Sequence, residues 1–429
     1  MKRALKTMIM LAVFYTFSLF SGTVLAKDPK KVVFLTWKPN QPEIWKLLID
    51  NFHKENPQIR IHLQVAPHSS TEYHAIVTQR LKNRDQSVDV FFMDVVWPPE
   101  FANAEWALDL SSRFPNSDRE KFLKGPIAAN TYKGKVYGVP CYLAAGLFYY
   151  RKDLLKKYGL TPPANWDELL SHGKVILSGE NDPSLHVYSA QFKQYEGLVC
   201  NMLEFIWGRG GNVLDPESGL SNLSHPDLIL PTAFVRDHII GAAAPRGVVN
   251  YEEPESLDLF IQGKAVFHRN WPYAWAVANN PANSRIAGKV GVGTLPVFGD
   301  HIPVSTLGGW QFGISRWSRQ QDAAWQFIKF MTSHKSQEVL AIGAGLAPTR
   351  KSVYQSAEVL DKMPHLKAFL PVFERARPRP LSPVYPMISQ ELQRFFSRAI
   401  STKTSDLEKL AEEASRRINR VVRLGNFKE

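Results

Sequence analysis

Apolar and polar positions alternate in two ways along the first part of the chain. Residues 32–37 and 88–93 are almost continuously apolar, which is typical of strands buried on both faces. Residues 59–65 are apolar at every second position, as in a half-buried strand. Helical spacing of apolar residues, from about position 43 and again over 73–83, separates these strands. The order strand, helix, strand, helix, strand predicts a parallel sheet covered by helices.

Ligands bind beyond the carboxyl ends of the strands in such sheets. Two loops at those ends therefore become candidates, residues 37–43 and residues 94–97. Further along, a strand at 137–142 leads into 147–155, which is typical of a chain that crosses between two lobes. The pattern then predicts these elements: helices at 166–177, 196–207, 322–331 and largely over 226–263; strands at 264–269, 290–296 and 306–314; and a last helix that begins with a capping box of Ser405 and Glu408.

An aromatic cluster follows the predicted strand 264–269. Trp271, Tyr273 and Trp275 lie within five residues, and Pro272 is incompatible with a regular central strand. Rings placed at the end of a strand can stack on a flat ligand. Large aromatic residues also fill cores, so both interpretations stay open at this point.

Length and composition define the class of protein. With 429 residues the chain exceeds one ordinary core, so two lobes are expected, and 44% hydrophobic with 21% charged residues is typical of globular proteins. The first 26 residues differ, because three basic residues precede an apolar run and a small-residue cleavage site. This pattern predicts a secretory signal peptide over 1–26 and a mature protein in the periplasm.

Charge and cysteine content limit the kinds of ligand and partner that the protein is expected to bind. Loss of the three basic residues of the signal peptide leaves a formal charge of 12 − 3 = +9. Because the lysines and arginines are dispersed along the chain, we expect a solvated exported protein and no nucleic acid partner. Cys141 and Cys200 could form a disulfide or remain buried thiols. Two cysteines alone form no metal site, and neither a metal nor a cofactor is predicted.

Motifs of common hydrolases, zinc proteases and nucleotide-binding proteins are absent from the sequence. A pair of carboxylates for glycoside cleavage stays open as an alternative, since the distance between two carboxyl groups depends on the fold. The loops instead combine acids, aromatic rings and glycine pairs. Sugars require this combination, because their hydroxyls need charged hydrogen-bond partners and their C–H faces need aromatic surfaces.

Several segments of the mature chain match those of a known protein family, and they occur in the same order as in that family. Among them are Asp-Val-Val-Trp at 94–97 and Leu-Gly-Gly-Trp at 307–310. The others are residues 147–155, 193–200, 269–275, 377–380 and 385–386. Through them the chain resembles the periplasmic solute-binding proteins of ABC sugar importers, in particular the maltose/trehalose-binding group.

The resemblance implies an α/β protein with the two-lobed periplasmic binding protein fold (type II). Each lobe is expected to be a mixed sheet flanked by helices, with 27–143 plus 292–331 in one lobe and 144–291 plus 332–429 in the other. A disaccharide or short oligosaccharide, such as maltose or trehalose, would bind in the cleft between them. Hinge closure would present it to the permease subunits in the inner membrane. The protein would be a monomer without catalytic activity; a receptor for another polyol or glycoside is the alternative within this class.

The resemblance also implies the binding residues, by position. They are Glu43, Asp94, Tyr142, Glu196, Trp271, Tyr273, Gly308, Gly309, Trp310 and Arg379. Glu196 could alternatively be an acid that stabilises a helix start. One position departs from the family: Ala144 stands where trehalose-binding members carry an aspartate that contacts the sugar. Loss of this charged acceptor would lower the affinity for trehalose or indicate a different ligand.

Overall fold

The computed structural model describes residues 28–39, 41–403 and 406–426. The predicted signal peptide and Ser405 of the predicted capping box lie outside these residues. Within them, no helix combines the length and the apolar character needed to span a bilayer.

The strands form two main sheets and one small hairpin. Their bounds are β1 Lys30–Trp37, β2 Ile59–Ala66, β3 Val90–Asp94, β4 Thr131–Tyr132, β5 Lys135–Val136, β6 Val139–Ala145, β7 Leu147–Arg151, β8 His186–Ser189, β9 Ala265–Asn270, β10 Val290–Gly293, β11 Leu307–Ile314 and β12 Ala347–Pro348.

Helices cover both sheets. Their bounds are α1 Pro42–Glu55, α2 Ser70–Lys82, α3 Pro98–Asn103, α4 Asn116–Arg119, α5 Lys124–Ala129, α6 Lys152–Lys157, α7 Trp166–Glu180, α8 Glu196–Trp207, α9 Pro226–Phe234, α10 Glu253–Ile261, α11 Ala274–Ala278, α12 Gln321–Met331, α13 His334–Ala344, α14 Ala357–Lys362, α15 Leu366–Glu374, α16 Tyr385–Ser401 and α17 Leu407–Asn426. The region predicted as largely helical over 226–263 also contains a π-turn at Val235–Ile239 and a 3₁₀ turn at Arg246–Asn250.

The larger sheet has the strand order β12-β6-β11-β3-β1-β2. Strand β1 is parallel to β2 and β3, as the order of predicted strands and helices indicated. Strand β11 lies antiparallel between β3 and β6. The smaller sheet has the order β10-β7-β9-β8. Both sheets are mixed and helix-covered, which confirms the predicted α/β fold class. We call the body built on the larger sheet lobe 1 and the body built on the smaller sheet lobe 2.

The predicted half-buried strand β2 is buried over only part of its length. Ile59 and Ile61 are buried, whereas Leu63 is 37% and Val65 is 52% exposed. Strand β2 is the edge of the larger sheet. An alternating pattern indicates a strand but does not tell how far a covering helix extends over it.

The strand pairing differs from the predicted lobe bounds at three places. Strand β6 pairs with β11 as far as Ala145, so residues 144 and 145 belong to the sheet of lobe 1. Strand β10 pairs with β7, so residues 292 and 293 belong to the sheet of lobe 2. Strand β12 pairs with β6, which places it in lobe 1, and helix α13 packs on α1 at Gly343, where a Cβ would lie 2.7 Å from Ile44 Cδ1. Residues 334–348 therefore pack with lobe 1, because their partners are β6 and α1.

The chain crosses between the lobes at Gly146, between β6 and β7. Its N–H donates to the carbonyl of Thr306, which begins the return crossing, over 3.3 Å. A Cβ at position 146 would lie 2.0 Å from Glu204 Oε1, so the close approach requires glycine. Glu204 forms a buried bidentate ion pair with Arg269 (2.6 and 2.7 Å) and accepts the Thr306 N–H at 3.0 Å. This carboxylate thus holds both crossing strands to the core of lobe 2.

Candidate functional site

A cavity of about 720 Å³, including its open mouth, lies between the two lobes. This volume is in the range of small-molecule sites. Nine of the ten predicted site residues line it: Asp94, Tyr142, Glu196, Trp271, Tyr273, Gly308, Gly309, Trp310 and Arg379. Lobe 1 contributes the ends of β3, β6 and β11, and lobe 2 contributes the segment after β9 and the start of α8.

Glu43 is the exception and corrects the prediction. It is exposed in the first turn of α1, and it does not line the cavity. Helix α1 buries Trp45, Leu48, Ile49 and Phe52 against the sheet, and this orientation leaves Glu43 facing solvent. From the same loop, Trp37 lines the cavity instead. The predicted loop 37–43 therefore reaches the cavity through Trp37, whereas Glu43 does not reach it.

Arg379 joins the two predicted acids of the cavity. Its Nη2 donates to Asp94 Oδ1 at 2.5 Å, and its Nη1 donates to Glu196 Oε1 at 2.7 Å. All three side chains are buried, and Arg379 is only 1% exposed. Burial raises the pKa of Asp94, while the neighbouring guanidinium opposes that shift. Burial alone would lower the pKa of Arg379, but Asp94 raises it well above its usual value, so the guanidinium stays charged.

Glu196 is held by more partners than a ligand acceptor needs. Besides Arg379, its Oε1 accepts the Tyr385 hydroxyl at 2.5 Å, and its Oε2 accepts the Ser389 hydroxyl. It is also the first residue of α8, where a carboxylate is stabilised by the helix dipole. Both sequence interpretations therefore describe its position. Its contacts assign it mainly to orienting Arg379.

Trp271 is a fixed, half-buried ring at the end of β9. Its Nε1 donates to Glu253 Oε1 at 3.0 Å, and the Arg269 guanidinium lies 4.0 Å from the ring centroid. On the side of lobe 1, a Cβ at Gly308 would lie 3.1 Å from Trp271 Cζ3. Such contacts fix the ring without ligand. Trp275, by contrast, lies off the cavity wall and stacks on His365 with 4.7 Å between centroids.

The other aromatic residues of the cavity belong partly to the core. Tyr142 is 6% and Tyr273 is 8% exposed, so each presents only an edge to the cavity. Trp310 is half-buried and contacts Trp37 and Trp97 with ring centroids 5.6 and 5.5 Å apart. The ring surface of lobe 1 is therefore a packed aromatic cluster with one exposed side.

Steric contacts explain why β11 carries glycine at both positions 308 and 309. Gly309 has φ of 127°, and a Cβ there would lie 2.6 Å from the Tyr142 carbonyl oxygen. Position 309 therefore excludes any side chain, and position 308 leaves room for Trp271. The glycines bring the backbone of lobe 1 close to the cavity, as their sequence predicted.

Sequence reasoning missed several residues of the cavity wall. They are Trp37, His68, Ser70, Gly197, Cys200, Glu253 and Leu346. Trp37 ends β1 and His68 follows β2, so the rule for carboxyl ends of parallel strands could have found both. Glu253 begins α10 immediately before Pro254, which in sequence indicates only a helix start. Cys141 and Cys200 are both buried free thiols, and burial raises the pKa of each.

Two α/β lobes around a polar and aromatic cavity define a two-lobed ligand-binding protein. Residues 38–338 match the sequence profile of the bacterial extracellular solute-binding proteins, and the chain belongs to this family. A probable ABC transporter-binding protein of Deinococcus radiodurans is 34% identical over 348 residues, which cover 80% of this chain and 82% of the relative.

Solved structures agree with this assignment. Maltose-bound T. maritima MalE3 is 36% identical and has a TM-score of 0.85, covering 92% of this chain and 99% of its own. A solute-binding protein of Agrobacterium radiobacter K84 in complex with ribitol has a TM-score of 0.83 at 22% identity, again over 92% of this chain and 99% of its own. The second likeness concerns the fold. These proteins share the type II periplasmic binding architecture with this chain.

Proposed function

We propose that this protein is the substrate-binding component of an ABC sugar transporter and that its ligand is a maltose-like disaccharide or short oligosaccharide. Binding in the cavity would shift the lobes toward the closed arrangement, because the ligand touches both. The closed form would then deliver the sugar to permease subunits in the inner membrane. The family's extracellular description supports a periplasmic location, with export directed by residues 1–26.

The observation that carries this proposal is the pairing of Trp271 in lobe 2 with Asp94 in lobe 1 across one cavity. The Trp271 ring offers an apolar surface for a pyranose C–H face. Asp94 and Arg379 offer a charged acceptor and a charged donor for hydroxyls, and such hydrogen bonds are stronger than neutral ones. The relative that is 36% identical was solved with maltose, which supports the same sugar class.

Ala144 supports maltose over trehalose. It lines the cavity in β6 and pairs with Gly308 of β11, where a Cβ would meet the Ala144 methyl at 3.5 Å. An aspartate at this position would add a charged hydroxyl acceptor, and alanine leaves an apolar wall. Trehalose should therefore bind more weakly than maltose, by about tenfold for one lost charge-assisted hydrogen bond.

The arrangement of the acids favours binding over glycoside cleavage. Asp94 and Glu196 both pair with Arg379. A glycosidase needs one protonated carboxylic acid and one free carboxylate on opposite sides of the bond. Two carboxylates paired with the same guanidinium are suited to accept hydrogen bonds from hydroxyls and are poorly suited to donate a proton.

Isothermal titration of the mature protein with maltose, trehalose, maltotriose and ribitol tests the proposal. We expect maltose or maltotriose to bind at micromolar or lower Kd, and small-angle scattering to detect a more compact form with the sugar. No glucose should be released during prolonged incubation. Glucose release above that of a protein-free control would overturn the receptor function, and failure of every glucoside to bind would overturn the sugar class.

A further inference from the structure

His68, Glu252 and Glu253 form a group of potential metal ligands that spans the two lobes. His68 follows β2 in lobe 1, and the two glutamates stand at the start of α10 in lobe 2. One ring nitrogen of His68 and one carboxylate oxygen of each glutamate lie within 4.8 Å of one another. His68 and Glu253 also line the cavity, so the group faces the proposed ligand.

His68 lacks the partners that a buried imidazole normally has. Both ring nitrogens are shielded from solvent and have no hydrogen-bond partner among the described residues. The ring packs edge-on against Trp37 with 5.5 Å between centroids, which fixes its position. A buried polar group without a partner costs free energy unless something binds it. Both ring nitrogens of His68 are therefore free of protein partners within the part of the chain that the structure describes, and one of them is available to bind a cation.

The two glutamates are largely buried and only partly satisfied. Glu252 Oε1 accepts from Lys193 Nζ at 2.7 Å, and the Glu252 side chain also accepts the backbone N–H of Glu255 as the N-cap of α10. Glu253 Oε1 accepts from Trp271 Nε1 at 3.0 Å. Each carboxylate can accept further partners. Two carboxylates near one lysine leave a net negative charge. A cation between the lobes would neutralise that charge and would give the His68 ring a partner at the same time.

We propose that His68, Glu252 and Glu253 bind one divalent transition-metal ion, with zinc favoured, across the mouth of the cleft. Imidazole with carboxylate oxygens suits zinc, whereas magnesium and calcium prefer oxygen ligands alone. Zinc ligands stand about 2.0–2.2 Å from the ion, so side-chain movements of about 1 Å would complete the site. Three protein ligands would leave a fourth position open for water or another ligand. The sequence predicted no metal site, because these ligands come from segments far apart in the chain.

The ion would join lobe 1 to lobe 2 and so favour the closed arrangement. This consequence rests on the proposed function, since it assumes that closure accompanies ligand binding. Metal binding itself does not, because its three proposed ligands are all side chains of this protein. Zinc and sugar should therefore each increase the apparent affinity for the other, by reciprocal linkage.

The test is a calorimetric titration of the metal-free mature protein with zinc chloride alone. We expect one zinc per chain, with at least about tenfold weaker binding to His68→Ala, because one of three ligands is lost. His62→Ala is the matched control, since His62 is an exposed histidine of β2 in the same lobe. It should bind zinc as the unmodified protein does. Equal weakening in the two variants, or none in His68→Ala, would overturn the site.

X-ray absorption at the zinc edge decides the question without any variant. The unmodified protein with one equivalent of zinc should give one imidazole and otherwise oxygen ligands, and a spectrum without imidazole would overturn the proposal. Sugar titrations in the presence of a chelator separate the two proposals. If sugar binds in the presence of the chelator and no specific zinc site is found, the receptor function is supported and the metal site is not. Zinc binding with no sugar binding would leave only the metal site.

Discussion

The indole N–H of Trp271 donates a 3.0 Å hydrogen bond to Glu253 Oε1, and this contact sets the plane of the ring that faces the cavity. Arg269 packs against the same ring at 4.0 Å from its centroid. Both partners are side chains of the protein itself. The aromatic surface is therefore preorganised, which reduces the entropy that ligand binding would otherwise lose.

Replacement of Trp271 by alanine should weaken sugar binding by about tenfold or more, because the apolar surface of the ring is lost. The melting temperature should change little, since the ring is half-buried at the cavity. Trp275→Ala is the control, because Trp275 stacks on His365 away from the cavity. It should lower the melting temperature and leave the affinity within about twofold. The reverse pattern would assign Trp271 to the core.

A larger side chain at Gly308 should prevent closure. A Cβ there would already lie 3.1 Å from the Trp271 ring, and the extra methyl groups of valine would collide with it. We expect Gly308→Val to weaken sugar binding by about tenfold or more with a native-like circular dichroism spectrum. Gly293→Ala is the matched control, since no atom lies within 4 Å of a Cβ at that position. Unchanged affinity in Gly308→Val would exclude this contact from the closed state.

Neutralisation of Asp94 should reduce affinity without unfolding the protein. An asparagine at this position would keep the size of the side chain but would lose the charge that strengthens hydrogen bonds from sugar hydroxyls. We expect Asp94→Asn to raise the Kd by about tenfold, as measured by calorimetry. Arg379 would keep Glu196 as a partner, which limits the loss of stability. Asp109→Asn in lobe 1, away from the cavity, should bind normally; an equal loss there would point to a general charge effect.

The buried ion pair at the lobe crossing should dominate stability. Glu204→Gln leaves the Arg269 guanidinium buried without a charged partner, and Arg269 is only 1% exposed. Loss of one member of a buried pair costs about 3–5 kcal/mol. Urea unfolding should detect this change. Glu217→Gln, an exposed acid of lobe 2, should stay within about 0.5 kcal/mol of the unmodified protein. A small effect of Glu204→Gln would mean that water reaches the crossing.

Stability should fall as the pH is lowered from about 6.5 toward 5. Burial lowers the pKa of His365 to about 4 and that of His268 to about 3, while histidines in the unfolded chain titrate near about 6.5. In this window the unfolded state binds protons that the folded state does not, so acid favours unfolding. His365→Phe keeps the stacking on Trp275 and should reduce the slope of unfolding free energy against pH. The exposed control His62→Phe should not, and equal slopes in all three proteins would contradict the assignment.

Local patterns predicted the elements that depend on neighbouring residues. The apolar run before Asp94 and the helical spacing of 196–207 indicate a strand and a helix, and the structure has β3 and α8 there. The order of these elements predicted parallel strands, because crossover connections leave few alternatives. The antiparallel return of β11 between β3 and β6 needed the structure, since strand order depends on contacts between distant segments.

The residues of the candidate site also fall into two groups, those that could be predicted from sequence and those that could not. Trp271 and the pair Gly308 and Gly309 could be named from sequence through the resemblance to a known family, since the aromatic cluster alone is also compatible with a core position. Glu43 could not be placed, since the orientation of α1 depends on which of its residues the sheet buries. Glu253 and His68 showed no local signal, and only the approach of the two lobes gives them a shared environment.

The sequence by itself determined the α/β elements, because periodicity, turn residues and strand ends are local properties. It indicated the class of protein and most of the cavity residues through the resemblance of its segments to a known family. The tertiary structure alone decided the partners of each charge. Arg379 meets Asp94 and Glu196, which are 285 and 183 residues away, and His68 approaches Glu252 and Glu253 across the cleft. Hydrogen bonds and ion pairs form only over a few ångströms, so the partners of a charged side chain depend on distances that the folded chain alone determines.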